Sequence, residues 1–246
     1  MDNTSWTSVS HFILLGISTH SEEQIPLLLL FLLMYTINIS GNFAIITLII
    51  SAPRLHTPMY IFLGNLALAD ICFTSTTVPK MLQNIFSPTK VISYMGCLAQ
   101  TYFFICFAAV ENFLLAVMAY DRYIAICHPF HLNTLMIQTE GAIVINGALA
   151  FIIASYACII AAVLRIPSSK GKWRTFSTCG SHLTVVTIFY GTLTWVYFRP
   201  LSSYSVTTGR IVTVMYTVVT PMLNPFIYSL RNGDVKGAFR KWVRRI

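Results

Sequence analysis

Six stretches of roughly twenty residues each, almost free of charge, constrain this chain more than any other feature. They run Ile25–Ser51, Pro58–Val78, Cys97–Met118, Ala142–Leu164, His182–Phe198 and Ile211–Leu230. A helix rising about 1.5 Å per residue needs that length to cross a hydrocarbon layer about 30 Å thick. Membrane β-strands would instead show alternating segments of about ten residues, and nothing here alternates. Only 10% of the residues are charged, against about 25% in soluble domains, so water is the wrong solvent for most of this surface. The pieces between the runs are too short for a soluble domain, and no internal repeat is present. The expectation is an all-α membrane protein forming one transmembrane domain over residues 1–246.

The net charge of +8 is not a nucleic-acid signal. Ten of the 16 Lys and Arg lie in two clusters, Arg165 to Arg174 and Arg231 to Arg245. Both flank apolar runs, where basic residues set orientation and attract anionic headgroups. Membrane lipids are the partners this implies. The first 24 residues hold Asp2, Glu22 and Glu23 but no Lys or Arg, the opposite of a cleavable signal peptide. The first run then acts as its own insertion signal and leaves the N-terminus outside. Asn3-Thr4-Ser5 fits N-glycosylation there; Asn38-Ile39-Ser40 also matches, but inside an apolar run. None of the six cysteines has zinc or redox spacing. Cys97 opens the third run on the outer side, where disulfides form, and no outer partner is in view.

Carboxylates at membrane depth are costly and are functional candidates by default. Asp70 lies 12 residues beyond Pro58, and Glu111 lies 11 before Arg122, depths of about 18 and 16 Å at helical rise. Asn42 lies 12 residues before Arg54, at a similar level. One reading is a polar cluster that holds a cation, water or a shared proton; the other is mutual satisfaction that pins helix packing. In PMLNPFIY (221–228), two prolines free carbonyls and bend the helix, and Asn224 is available to satisfy some of that backbone. Asp121-Arg122-Tyr123 marks a helix end, where an arginine ordinarily just reaches for the interface.

Taken together, LHTPMY (55–60), LALAD (66–70), MAYDRYIAIC (118–127), FSTCGSHL (176–183) and PMLNPFIYSLRN (221–232) resemble the olfactory receptors, a branch of the rhodopsin-like G-protein-coupled receptors. The resemblance covers nearly the whole chain. It implies an odorant pocket in the outer half of a helix bundle, residence in the plasma membrane, and coupling to a stimulatory heterotrimeric G protein that raises cAMP. Carried over by motif, Asp121, Arg122 and Tyr123 form the coupling end, Arg122 holding the inactive state before receiving the G protein. Tyr228 swings with the last helix beside Asn224 and Pro225. Asn42, Asp70 and Glu111 form the polar centre, with a sodium ion as its implied occupant. Tyr190 lies at the pocket floor. Phe104, Ile105 and Ala108, one or two turns beyond Glu111, are pocket candidates whose apolar character suits a small hydrophobic ligand; plain core packing is the alternative.

The family has seven spans, and six are legible here. Up to residue 132 the chain matches the third helix and the loop after it; from Asn133 it matches the start of the fifth. The expectation is six of the usual seven spans, with a deletion junction near 132–133 that removes the fourth helix and the second outer loop, the usual source of a disulfide partner for Cys97. His128 and Glu140 should then lie on opposite sides. Either extended chain crosses the layer, or every later helix inverts against the positive-inside preference, or Ala142–Leu164 fails to span. Retention in the endoplasmic reticulum follows from any of these. Two alternatives remain: a non-signalling remnant that pairs with intact receptors, and a small channel or transporter lined by Asp70 and Glu111. The second lacks inverted repeats and paired broken helices. No nucleophile–base pair or metal-spaced cluster points to an enzyme.

Overall fold

The first three apolar runs lie within longer helices and the fifth falls at the end of one, whereas the fourth is helical from Ile145 and the sixth is divided by a π-helical turn. The computed structural model describes residues 10–14, 16, 21–87, 89–127, 145–165, 168–197, 206–231 and 233–243; Asn3 and the junction near 132–133 lie outside them. A short antiparallel pair, β1 (His11–Ile13) with β2 (Val91–Ser93), closes one end. The helices are α1 (Ser21–Ser51), α2 (Pro58–Phe86), α3 (Tyr94–Cys127), α4 (Ile145–Leu164) and α5 (Ser169–Tyr197). They are followed by α6 (Val206–Val214), a π-helical turn at Met215–Val219, α7 (Thr220–Arg231) and α8 (Gly233–Val243). Where a helix outlasts its apolar run, the reason is that hydropathy detects only the stretch that lipid must cover. Helix α5 starts 13 residues before His182, so Lys170, Lys172 and Arg174 sit on its first turns and not in a loop. Among the described residues, four stretches are long and apolar enough to cross a membrane: Glu22–Ser51, Pro58–Ile85, Tyr94–Cys127 and Gly209–Tyr228. In α4 the apolar helical stretch Ile152–Val163 is shorter.

Local chemistry sets several boundaries. Pro58 opens α2 at a position where the missing N–H costs nothing, after an extended Thr57. Pro225 lies inside α7 and cannot donate to the carbonyl four residues earlier. That carbonyl, on Pro221, instead accepts from Asn42 Nδ2 of α1 at 3.3 Å. The sequence reading gave this task to Asn224, which is engaged elsewhere. Gly41 makes the close approach feasible, since a Cβ there would stand 3.2 Å from the Pro225 ring. The expected basic tail contains the amphipathic helix α8, with Val235 and Ala238 buried and Arg240 and Lys241 exposed. Apolar residues three and four apart give it one packed face.

The direction of each helix follows from which side chains share a level. On α3, Phe104 meets Phe73 of α2 and Tyr216 at ring distances of 4.8 and 6.3 Å, and Tyr216 also meets Phe189 of α5 at 5.4 Å. Eleven residues further along α3, the Leu115 carbonyl meets His182 of α5 at 3.0 Å. Helix α5 therefore runs opposite to α3. Leu164 and Ser169 are separated by four residues, and Tyr156 of α4 reaches His182 at 2.9 Å, so α4 is antiparallel to α5 and parallel to α3. Cys127 and Ile145 consequently stand at opposite ends of the bundle. Of the three outcomes left open by the sequence, the inverted second half is not the one adopted. Arg122, Tyr156 and Tyr228 all lie toward one end, called here the Arg122 end; Cys97 and the strand pair mark the other.

Candidate functional site

The polar residues singled out from depth alone do gather. Asn42, Asp70 and Glu111 are each at most 3% exposed, and Asn224 is 5% exposed. Asn224 Nδ2 donates to Asp70 Oδ2 at 2.8 Å, tying α7 to α2. The carboxyl groups of Asp70 and Glu111 interact directly, joining α2 to α3. Two carboxylates in contact at low dielectric repel when both are charged, so the pair calls for a proton or a cation between them. Asn38 of α1, which is fully buried, extends the network: it donates to Thr74 Oγ1, and its Oδ1 accepts from Asn42 Nδ2 at 2.6 Å. A buried, engaged Asn38 excludes the second glycosylation match.

Donors run out before acceptors do. Asp70 Oδ1, Glu111 Oε1, Asn42 Oδ1, Asn224 Oδ1 and the neighbouring Asn112 Oδ1 are all buried without a hydrogen-bond partner. Buried acceptors left without donors are rare in native proteins and each costs free energy. Oxygen atoms of carboxylates and amides are also what a hard cation selects, so the donor set fits a sodium ion.

Toward the Arg122 end the same pattern recurs with donors. Asp121 and Arg122 are 6% and 5% exposed, so Arg122 does not simply reach for the interface. Its Nε and the buried Tyr228 hydroxyl have no partners. Arg122 lies close enough to act electrostatically on Tyr156, Cys179 and Tyr228, on α4, α5 and α7. Tyr123 is half-buried against the core. Pro225 sits between Asn224 and Tyr228 in α7, and the π-turn at Met215–Val219 precedes it. A helix interrupted twice within eleven residues is a natural hinge.

A second polar seam was not assigned from sequence. Tyr156, His182 and the Leu115 carbonyl join α4, α5 and α3. A carbonyl only accepts, so His182 Nε2–H donates to Leu115 and Nδ1 accepts from the Tyr156 hydroxyl, which fixes one neutral tautomer. A lone histidine and tyrosine inside apolar runs were the available signal.

The pocket candidates divide. Phe104 and Ala108 are half-buried against the core, and Tyr190 is 8% exposed with an unpartnered hydroxyl and its ring edge-on to Phe189. Ile105 is 57% exposed and faces away from the interior with Leu98 and Tyr102. In this chain its side chain lies on the outward face of α3. Cys97 carries a free thiol, as do the other five cysteines.

Comparison with known proteins agrees with this architecture. The family model "7 transmembrane receptor (rhodopsin family)" matches residues 41–148, and the model "Olfactory receptor" matches 140–245. The chain is 68% identical to human Olfactory receptor 1Q1 over 308 aligned positions, covering 100% of this chain and 98% of the relative. Human Olfactory receptor 1L4 is 46% identical, covering 98% and 97%, and Olfactory receptor 1f45 of Rattus norvegicus is 44% identical with the same coverage. Sequence family and bundle together make this chain a member of the olfactory receptors, which are rhodopsin-type membrane receptors and not enzymes.

Proposed function

We propose that this odorant-sensing receptor takes small, volatile, apolar ligands, is built to couple to a stimulatory heterotrimeric G protein, and is impaired by an internal deletion near 132–133. The observation that carries the coupling is the buried Arg122 end, where unpartnered donors on α3 and α7 stand below a hinged α7 that is tied to the polar centre through Asn224 and Asp70. Rotation of α7 would expose Arg122 and Tyr228 together. A sodium ion bridging Asp70 and Glu111 would hold the unrotated arrangement, since it supplies the charge that the oxygens there lack. The Phe73–Phe104–Tyr216–Phe189 aromatic group, with Tyr190 and Ala108, would form the apolar base on which an odorant acts.

The deletion is supported by length. Alignment with Olfactory receptor 1Q1 needs 308 positions for 246 residues of this chain, so the relative has many positions without a counterpart here. The exposed apolar face of α3 and the free Cys97 thiol fit a missing neighbour and a missing outer loop. Such a chain is destined for the plasma membrane with its N-terminus outside, and is held in the endoplasmic reticulum by incomplete assembly.

A cAMP reporter in cells tests this, comparing the chain as it stands with one that has the missing segment of Olfactory receptor 1Q1 inserted after residue 132. The repaired chain should respond to an apolar odorant panel, and Arg122→Ala should abolish that response. The unrepaired chain should give less than a tenth of it, with the Asn3 glycan still sensitive to endoglycosidase. A full response without repair would remove the impairment, and a repaired, surface-exposed chain that never raises cAMP would remove the coupling. The outward face Leu98, Tyr102, Ile105 and Phe113 favours a second reading, a remnant that pairs with intact receptors; co-precipitation with Olfactory receptor 1Q1, lost on Tyr102→Lys, would support it.

A further inference from the structure

At the Arg122 end, α8 folds back against the end of α1 and leaves a cavity of about 260 Å³. Leu48 of α1, Ala52 and Arg54 around the short helical turn Pro53–Leu55, and Ala238, Lys241 and Trp242 of α8 form its wall. The cavity opens where the apolar span Glu22–Ser51 ends, so it stands at the level of the lipid head groups.

The wall is fixed and close-fitting. Leu55 is fully buried, and the His56 ring donates through Nε2–H to the Ile49 carbonyl at 3.0 Å, which anchors the turn to α1. Gly237 lets α8 come close, since a Cβ there would stand 3.0 Å from Arg54 Nη2. Arg54 is engaged within the protein and acts as a positioned wall, not as the partner of a ligand. Lys241 lies one helical turn after Gly237. It is exposed and has no partner among the described residues, and the Trp242 indole N–H is likewise unspent. Trp242 and Phe239 are 38% and 49% exposed, with rings 6.2 Å apart. Exposed aromatic rings beside a basic side chain, where a span ends, suit a surface that lies among head groups.

We propose that this cavity holds the head of an anionic phospholipid, its phosphate taken by the Lys241 ammonium and the Trp242 indole N–H, with the acyl chains leaving past Leu48 into the bilayer. A neutral head would give the ammonium no counter-charge. The volume admits a head group and not acyl chains, which stay in lipid. A water-soluble phosphate would leave Leu48, Ala52 and Ala238 facing water, so the apolar wall favours lipid as the source. Residues from both ends of the chain build the site, so it forms only where α1 and α8 have assembled, and it needs no part of the coupling machinery.

Photolabelling of the full chain in nanodiscs tests the proposal with two lipid probes, a phosphatidylglycerol and a phosphatidylcholine, each carrying a diazirine at the top of one acyl chain. The phosphatidylglycerol probe should label residues 48–54 and 238–242 in preference to the rest of the surface, and the phosphatidylcholine probe should not. Lys241→Gln should lower that labelling about fivefold, the effect of one basic charge at an anionic surface. Lys241→Arg should retain it, and Lys172→Gln, on α5 at the same end, should leave it unchanged. Equal labelling by both probes, or an equal loss in Lys172→Gln, would overturn the site. Suppression by excess inorganic phosphate would overturn it as well, by assigning the cavity to a soluble anion.

Discussion

Two polar seams run through this bundle, and they differ in whether they are complete. Between α3, α4 and α5, the Tyr156 hydroxyl, both His182 nitrogens and the Leu115 carbonyl match one another. Between α1, α2, α3 and α7, five carboxylate and amide oxygens are left over after the internal bonds are made. A completed seam gains nothing by moving and fixes helix positions. An incomplete one is sensitive to whatever supplies the missing charge, and it lies beside the hinge at Pro225. The first is support and the second is the candidate switch.

The largest expected effect breaks the complete seam. His182→Ala opens a cavity at a fully buried ring and strands the Tyr156 hydroxyl, a loss of about 3–5 kcal/mol by analogy with other buried rings. His182→Phe keeps the volume but removes both bonds, and should cost about 1–3 kcal/mol. Thermal unfolding of the detergent-solubilised chain measures both. Equal melting of His182→Phe and the parent chain would mean that the seam is packing alone. Next comes the α1–α7 contact: Gly41→Leu drives a side chain into the Pro225 ring and should cost about 1–3 kcal/mol, lowering the melting temperature without touching a polar group.

Asp70→Asn sharpens the contrast by doing little to stability and much to ion response. The substituted amide can turn its oxygen to Asn224 Nδ2, so the change in stability should stay below about 1 kcal/mol. The proposed sodium site loses one of its two carboxylates, however, and with it the oxygen that faces the ion from α2. The parent chain should melt higher in sodium chloride than in choline chloride at matched ionic strength, and the variant should show no difference. A sodium effect that survives Asp70→Asn would move the ion elsewhere.

How far the sequence could be read follows the same division. Counting residues from Pro58 and Arg122 placed Asp70 and Glu111 at one depth, because helical rise is a property of the single chain, and the two side chains do meet. Which helix would complete each group was not legible, since pairing depends on packing. Asn224 was expected to serve the backbone freed by proline, yet it serves Asp70, and Asn42 serves Pro221. His182 and Tyr156 lie in separate runs with nothing in spacing to join them. Helix α8 escaped notice because eleven residues carrying several charges fall below the length that signals a span. Ile105 and Phe104 differ in their place in the helical period. The former stands six residues from Glu111, about 240° around the helix, whereas Phe104 at seven residues returns to the same face.

Ile105 also supplies the finest test of the whole comparison, because its environment depends on what is missing. In this chain its side chain is 57% exposed on the outward face of α3. Ile105→Ala should therefore change stability by no more than about 0.5 kcal/mol. If that face is the seat of the absent fourth helix, the same substitution in the chain repaired with the Olfactory receptor 1Q1 segment removes a buried side chain, at about 2–5 kcal/mol. Thermal unfolding of the four proteins, parent and variant in each background, isolates the difference. A small effect in the short chain with a large one in the repaired chain would place the lost helix against α3. Equal small effects in both would leave that face to lipid, and the missing segment would have to pack elsewhere.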